Sequence, residues 1–275
     1  MFRLKKLFKK NIVTVYDELS DTTFKLMLRD DCYIEKEIQQ FGLYGYFEKE
    51  SLKLWAKLCV KSNVIIDVGA NTGVYSILAK SNNRHSQVLA IEPISTNFQV
   101  LTSNVKLNKF EINCEQVALS DENGTAKMYM FKDKLNYMTS INSNRYEGNP
   151  DIIQGKEIVE VEVPLERFSV LFDKYKFPSL DLIKIDVEGH EVQVLSSMIS
   201  LIEQFRPNIL VEILSDEVAT SLNLIFKDLG YYYIEIDEVN MPKLVSKLND
   251  NHHHNYLLCN EITFAFLCDE KFIQY

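Results

Sequence analysis

Val64-Ile65-Ile66-Asp67-Val68-Gly69-Ala70-Asn71-Thr72-Gly73-Val74-Tyr75-Ser76 is the stretch that decides how the rest of the chain is read. Apart from Asp67, its first five residues are apolar and β-branched, as a strand buried on both faces requires. A glycine-bearing turn follows, Gly69 to Gly73. Val74, Ile77 and Leu78 then recur at helical spacing, so a helix is expected to start near Thr72. Strand, glycine turn and helix open a nucleotide-type binding half of a doubly wound sheet. Gly69 permits a tight turn and a close ligand approach. The helix start is expected to aim unpaired N–H groups at that ligand.

The turn also narrows the ligand. Its spacing is G-x-x-x-G, not the G-x-G-x-x-G of dinucleotide sites, and the Gly-Lys-Ser/Thr of a phosphate loop is absent. Asp67 stands just before the first glycine, and a carboxylate there suits a cation better than a pyrophosphate. S-adenosylmethionine carries a sulfonium and an ammonium, so the chemistry leans toward it. An α/β turn with no ligand is the alternative reading at this point.

The chain has 275 residues, room for one large or two small domains, and its 46% hydrophobic content supports a sizeable core. A net charge of −9 argues against general nucleic-acid binding through phosphate neutralisation. Cys32, Cys59, Cys114, Cys259 and Cys268 are scattered without a C-x-x-C pair, which suggests reduced thiols and a cytoplasmic protein. There is no apolar run of membrane-spanning length. In residues 1–10, Arg3, Lys5, Lys6, Lys9 and Lys10 interleave with Leu4, Leu7 and Phe8, and no secretory h-region follows. A peripheral contact with an anionic membrane at its inner face is one reading. A solvated terminal segment is the other, and the preferred one.

Residues 11–60 read as an N-terminal extension. Phe24–Leu28 and Cys32–Ile34 look like short strands, and Leu43–Phe47 like an aromatic turn. Leu52, Leu54, Trp55 and Leu58 mark an amphipathic helix. An aromatic segment beside a binding site could cover it, or simply cap the sheet. Val88–Glu92 is a second buried strand closed by Pro93, with Ser95 as N-cap of the next helix. An acid at the end of this second strand, here Glu92, is the group that receives ribose hydroxyls in such half-domains. Ile112–Val117 is a third strand, and Thr125–Phe131 and Ile158–Val163 are strands outside the alternation. The polar loop 132–157 between them is a place for substrate selection. Leu165–Tyr175 fits a helix.

Leu182 to Glu191 is the second key stretch, a buried strand ending in Lys184-Ile185-Asp186-Val187-Glu188-Gly189-His190-Glu191. Lys184 lies between two isoleucines and needs a partner, and alternation puts it on the same face as Asp186. A helix carrying Val192, Leu195, Met198 and Ile199 follows. Ile209–Leu214 is a fifth strand with Glu212 in it, Val218–Leu229 a helix stopped by Gly230, and Tyr231–Ile236 and Ile262–Leu267 closing strands. Adjacent His252, His253 and His254 point to opposite faces of an extended backbone, so no metal site is assigned to them. Asp67, Glu92, Asp186 and Glu212 therefore fall at the ends of four parallel-type strands, where open α/β sheets bind ligands. Four acids there call for cations or hydroxyls as partners.

The chain resembles the FkbM-family methyltransferases, within the class I group that uses S-adenosylmethionine. The matching text is Ile66 to Gly73, Ile91-Glu92-Pro93, Ala118-Leu119-Ser120 with Gly124, Asp181 to Glu191, and Pro207 to Glu212, across about residues 45 to 215. The resemblance implies a Rossmann-like, mostly parallel sheet with a reversed terminal strand, preceded by an extension over 1–45 and occupying 46–275. It implies that Asp67, Gly69, Ala70, Asn71 and Gly73 hold the methionine portion, Glu92 the ribose, and residues around Ser120 the adenine. Family members methylate hydroxyl oxygens of sugars, lipids or polyketides. A hydroxyl nucleophile sheds its proton as it attacks, so a base helps. Asp186 is the first candidate for base or substrate anchor, then His190 and Glu188, with Lys184 paired to Asp186 or Glu212 and orienting the carboxylates. A divalent metal at Asp186 and Glu212 is not demanded by the spacing, and none is assigned. The expected activity is O-methylation of a small-molecule or glycan hydroxyl. The rivals are a non-catalytic binding module and, disfavoured by the missing third glycine, a dehydrogenase.

Overall fold

A hairpin and two helices precede the strand at Val64 in the computed structural model, which describes residues 11–29, 31–131, 157–250 and 254–274. The hairpin is β1 (Asn11–Asp17) and β2 (Thr22–Leu28), and the helices are α1 (Tyr33–Phe41) and α2 (Lys49–Cys59). Alternation then begins with β3 (Val64–Val68), α3 (Val74–Asn82), β4 (Gln87–Ile91), α4 (Ser95–Asn108) and β5 (Ile112–Glu115). It is interrupted by β6 (Ala118–Leu119), β7 (Gly124–Phe131) and β8 (Ile158–Glu166), which form a small separate sheet. It resumes with α5 (Phe168–Tyr175), β9 (Leu182–Ile185), α6 (Glu191–Phe205), β10 (Asn208–Glu212), α7 (Asp216–Phe226) and β11 (Tyr232–Ile236). The described chain closes with β12 (Lys243–Val245), β13 (Asn255–Cys259) and α8 (Glu261–Asp269).

The central sheet has the order β12-β11-β13-β10-β9-β3-β4-β5. β10, β9, β3, β4 and β5 are parallel neighbours, while β13 runs antiparallel to both β10 and β11. This is the expected doubly wound, Rossmann-like sheet, with β13 and the edge strand β12 reversed. The chain winds outward from β3 through β4 to β5, then returns to the other side of β3 as β9. The reversal opens a crevice beyond the carboxyl ends of β3, β4 and β9.

Every residue of β3 is buried, so the strand serves two cores. Val64, Ile66 and Val68 pack with α5, α6 and α7, whereas Ile65 packs with α2, α3 and α4. The N-terminal segment shares this second core: Val15, Phe24, Leu26, Ile34 and Ile38 lie in one cluster with Trp55 and Ile77. Buried Asp17 helps fix it, accepting from Leu19 N–H, the Ser20 and Tyr44 hydroxyls and the Asn82 amide at 2.7–3.0 Å.

Several local expectations change. Cys32–Ile34 is not a strand: Ile34 and Ile38, one helical turn apart, are buried faces of α1, and a short apolar run does not reveal its period. Ile262–Leu267 alternates like a strand but is helical, because the Asn260 side chain accepts the Thr263 N–H at 3.0 Å and caps α8. The closing strand is β13 instead. Helix α3 begins at Val74, with Gly73 rather than Thr72 before it, and α4 has Ile94, not Ser95, at its N-cap. Leu165 belongs to β8, and the Ile112–Val117 run breaks after Glu115. The loop at 132–156, residues 1–10 and His252-His253 lie outside the described residues. His254 sits 3.5 Å from Asp250. No described helix is long and apolar enough to cross a membrane.

Gly69 is where the two sides of the crevice touch. Its φ is +78°, and a methyl carbon placed on it would lie 1.8 Å from the carbonyl oxygen of Asp186. Gly69→Ala should therefore lower stability by at least about 2 kcal/mol, since both the dihedral and the collision oppose it. A urea denaturation midpoint equal to that of the unaltered protein would contradict this account.

Candidate functional site

Alternation along three strands brings three of the predicted carboxylates to one place. Ile65, Leu182 and Leu210 face the α2–α3 layer, so Asp67, Lys184, Asp186 and Glu212, two or four residues on, face the same layer at the strand ends. Asp67 and Lys184 are direct register partners across β3 and β9.

The glycine turn is held by the end of β4. Gly69 and Ala70 donate their N–H groups to the carbonyl of Ile91 at 3.0 and 2.9 Å, and Asn71 donates to Glu92 Oε2 at 2.9 Å. These turn amides are thus engaged within the protein instead of pointing freely at a ligand, because β4 ends directly beside them. Glu92 also accepts the Ile94 N–H at 2.8 Å. Burial pushes its carboxyl up to about 7, against the pull of those two backbone donors. Asp67 is fully buried and likewise pushed up, chiefly by burial. Its Oδ2 accepts the Ser76 hydroxyl at 2.5 Å, while its Oδ1 has no hydrogen-bond partner.

Two compartments adjoin at this turn. The first, about 560 Å³ including its mouth, is walled by Val68, Ile91, Glu92, Leu119, Met128 and His190. The second, about 870 Å³, is walled by Tyr33, Glu48, Asp67, Tyr75, Lys184 and Glu212 among others. Gly69, Asn71, Asp186 and Glu188 border both.

Lys184 is the cation of the second compartment. Its ammonium is 2.8 Å from Asp186 Oδ2 and 4.6 Å from the centre of the Tyr75 ring. Burial works against its charge, but the Asp186, Glu48 and Asp67 carboxylates outweigh it and hold the lysine protonated. Glu212 is pushed well above the usual carboxylate range, by burial first and then by the like charges of Asp186, Glu188 and Glu48. Oxygens of Asp186, Glu188 and Glu212 converge to within 4.8 Å of one another, a spacing that could hold a divalent cation. Lys184 already supplies positive charge to this set, and we assign no metal to it.

The remaining candidates separate. His190 stands at the N-cap position of α6, lines the first compartment but not the second, and has Nε2 3.0 Å from the Ser120 hydroxyl. Burial lowers its pKa, so it is neutral at neutral pH. Glu191 closes the turn that carries Glu188, accepting the N–H groups of Val187 and Gly189 at 3.3 and 3.0 Å. Ala70 borders the second compartment, whereas Gly73 borders neither. Gly73 packs closely on α4, where a methyl carbon would meet Leu101 Cδ1 at 2.5 Å. Glu48, Tyr33 and Tyr75 are additions. Tyr75 lies within the quoted stretch as an ordinary helix residue, and Glu48 is one acid of several after an aromatic turn; neither position carries a local signal.

A model of the methyltransferase FkbM domain matches residues 67–233, which takes in the glycine turn and every strand from β4 to β10. Methyltransferase sdnD of Sordaria araneosa is 29% identical over 155 residues, 49% of this chain and 60% of that protein. The 31-O-demethyl-FK506 methyltransferase FkbM of Streptomyces tacrolimicus is 25% identical over 50% of this chain and 59% of its own. The hexuronic acid methyltransferase AglP of Haloferax volcanii is 25% identical over 57% and 58%. The chain thus spans less than two thirds of each relative's length. With the matched segment running through the crevice and exceeding half of the sequence, the chain belongs to the methyltransferase FkbM domain family.

Proposed function

We propose that this chain transfers a methyl group from S-adenosylmethionine to a hydroxyl oxygen of a sugar or glycan. The observation that carries the reading is the pair of compartments meeting at Gly69 and Asp186, one largely apolar beyond Glu92 and the shared Asp186 and Glu188, the other lined by acids around one lysine.

The residues present fit the cofactor. Asp67 Oδ1 is buried without a donor, and an ammonium is the kind of group that completes it. Each Glu92 oxygen accepts one backbone N–H and keeps lone-pair capacity for a ribose hydroxyl. Ile91, Leu119 and Met128 offer apolar surface to an adenine. Asp67, Gly69, Ala70 and Asn71 would hold the methionine portion, and Ser120 with His190 would border the base. When bound, the cofactor supplies an electrophilic methyl carbon on a sulfonium. The protein aligns the acceptor oxygen with it, which accounts for much of the rate in such displacements.

The acceptor compartment favours a neutral, hydroxyl-rich molecule, since Asp67, Asp186, Glu188 and Glu212 would repel an anion. The named substrate of one relative, a hexuronic acid, supports the sugar class but not the absence of charge, since it carries a carboxylate. Asp186 anchors the acceptor while it engages Lys184. We read residues 46–275 as the methyltransferase unit and residues 1–45 as a cover, because Tyr33 and Ile34 of α1 border the compartment.

The reading is tested by incubating the protein with methyl-labelled S-adenosylmethionine and a panel of methyl α-D-glucoside, methyl α-D-glucuronide and a long-chain alcohol, with mass analysis of products. A methyl ether on a sugar is expected; label only on the alcohol, or on nitrogen or carbon of an added extract, would overturn it. Glu92→Ala should weaken cofactor binding by about one to two orders of magnitude, from the loss of charged hydrogen bonds worth about 1.5–3 kcal/mol each. Calorimetry giving an unchanged Kd would remove Glu92 from the site. Asp186→Asn should slow turnover about 10- to 100-fold on the same ground, with a far smaller effect on cofactor affinity. Equal losses in both would place Asp186 in cofactor binding instead.

A further inference from the structure

Glu48 is a carboxylate in the acceptor compartment that comes from neither the glycine turn nor a strand end. Its backbone is left-handed, φ 40° and ψ 43°, a conformation that is uncommon for a glutamate and persists only where the surroundings fix it. Here they do. Its carbonyl accepts the Leu52 N–H at 2.8 Å. The N-terminus of α2 is capped from the far end of the chain: Glu238, in the loop after β11, accepts the N–H groups of Glu50 and Ser51 at 2.7 and 3.3 Å and the Ser51 hydroxyl at 2.5 Å. Buried Trp55 of α2 donates its indole N–H to the Tyr75 carbonyl at 3.0 Å and meets the Tyr75 ring edge-on at 5.5 Å. With α2 so fixed against α3, the Tyr75 hydroxyl donates to Glu48 Oε2 at 2.5 Å.

Of the other acids, Asp186 engages Lys184, both Glu92 oxygens accept backbone N–H groups, and Asp67 Oδ2 holds Ser76 behind the turn. Among the described residues, Tyr75 makes the one hydrogen bond to the Glu48 carboxylate.

Building on the methyl-transfer reading, we propose that Glu48 accepts the proton of the acceptor hydroxyl, with Tyr75 as its positioning residue. In the step, the hydroxyl oxygen attacks the methyl carbon. The C–O bond forms as the C–S bond breaks, the electron pair of that bond goes to sulfur, and the hydroxyl proton goes to the Glu48 carboxylate. The sulfonium and the carboxylate both end neutral, so charge balances within the crevice. The groups facing Glu48 are Tyr75 on α3, Lys184 on β9, Asp186 after it, Glu212 on β10 and Glu238. Burial pushes the Glu48 carboxyl up and Asp186 adds to this, while Lys184 and the Tyr75 hydroxyl oppose it; it settles at about 7. A base is most effective near the working pH.

The test compares the full chain with Glu48→Gln and Tyr75→Phe, using labelled S-adenosylmethionine and the same sugar glycosides. Glu48→Gln should lower kcat by roughly 10²–10⁴-fold, with the KM of the glycoside changed far less and the calorimetric Kd of the cofactor unaltered. Since the carboxylate must be deprotonated to act, wild-type kcat/KM should fall as pH drops through about 7, and Glu48→Gln should lose that limb. Tyr75→Phe should slow turnover about tenfold and shift the limb to higher pH, because a donor to the charged form is lost. An infrared carboxyl band titrating over the same range should be absent from Glu48→Gln. Unchanged turnover, a retained acid limb, or lost cofactor binding in Glu48→Gln each overturns the proposal alone. Failure of the wild-type chain to methylate any glycoside removes the sugar-hydroxyl reading, and this proposal with it.

Discussion

The ammonium of Lys184 is the contact on which the crevice depends. It stands in a sheet between two isoleucines, where an unpaired charge is untenable, and its neighbours are the carboxylates of Asp186, Glu48 and Asp67. Breaking a buried pair by removing one partner costs about 3–5 kcal/mol, because the other charge is stranded. Here one cation meets several anions, so the local balance remains negative even with Lys184 charged. Burial answers part of that excess by raising Asp67, Glu212, Glu48 and Glu92 toward their neutral forms. The remainder is an appetite for cations and hydroxyl donors, built into the sheet before any ligand arrives. The excess also orders the ligands by charge: a cation or a polyol meets complementary groups, and an anion does not.

The backbone makes this concentration of acids achievable. At the switch point the β3 turn and the β9 turn come so close that Gly69 has no room for a side chain against the Asp186 carbonyl. The amides of the same turn are tied to Ile91 and Glu92, so the glycine turn, β4 and β9 form one braced unit. Such bracing holds Glu92 and Asp186 on opposite walls without relying on long flexible side chains. It also separates the chemistry by compartment, placing the neutral His190 with Ser120 on the apolar side and the Lys184 group on the other.

The N-terminal segment belongs to this architecture in a physical sense. Its hairpin and α1 share a core with α2 and α3, and Asp17 ties it to Tyr44 and Asn82. Because α2 is capped by Glu238 and pinned by Trp55, residues separated by 190 positions control where Glu48 stands. A substitution at that cap would reach the second compartment without touching it.

Much of this was legible in the chain itself. The β-branched run at Val64, the glycine spacing and the acids closing successive strands specify a doubly wound sheet and its crevice, because burial on two faces and period-two alternation are local properties. The pairing of Lys184 with Asp186 follows from the same alternation. What alternation alone misjudged were short segments, such as Cys32–Ile34 and Ile262–Leu267, whose few apolar residues fit either period until a cap or a packing partner decided between them. That Gly73 packs against Leu101 was not legible either, since only α4 reveals what lies against it. Glu48 and Tyr75 could not be found along the chain at all. Their meeting is set by how α2 lies on α3, and that is fixed by Trp55 and by a carboxylate from the other end of the molecule, so only the tertiary structure brings them together.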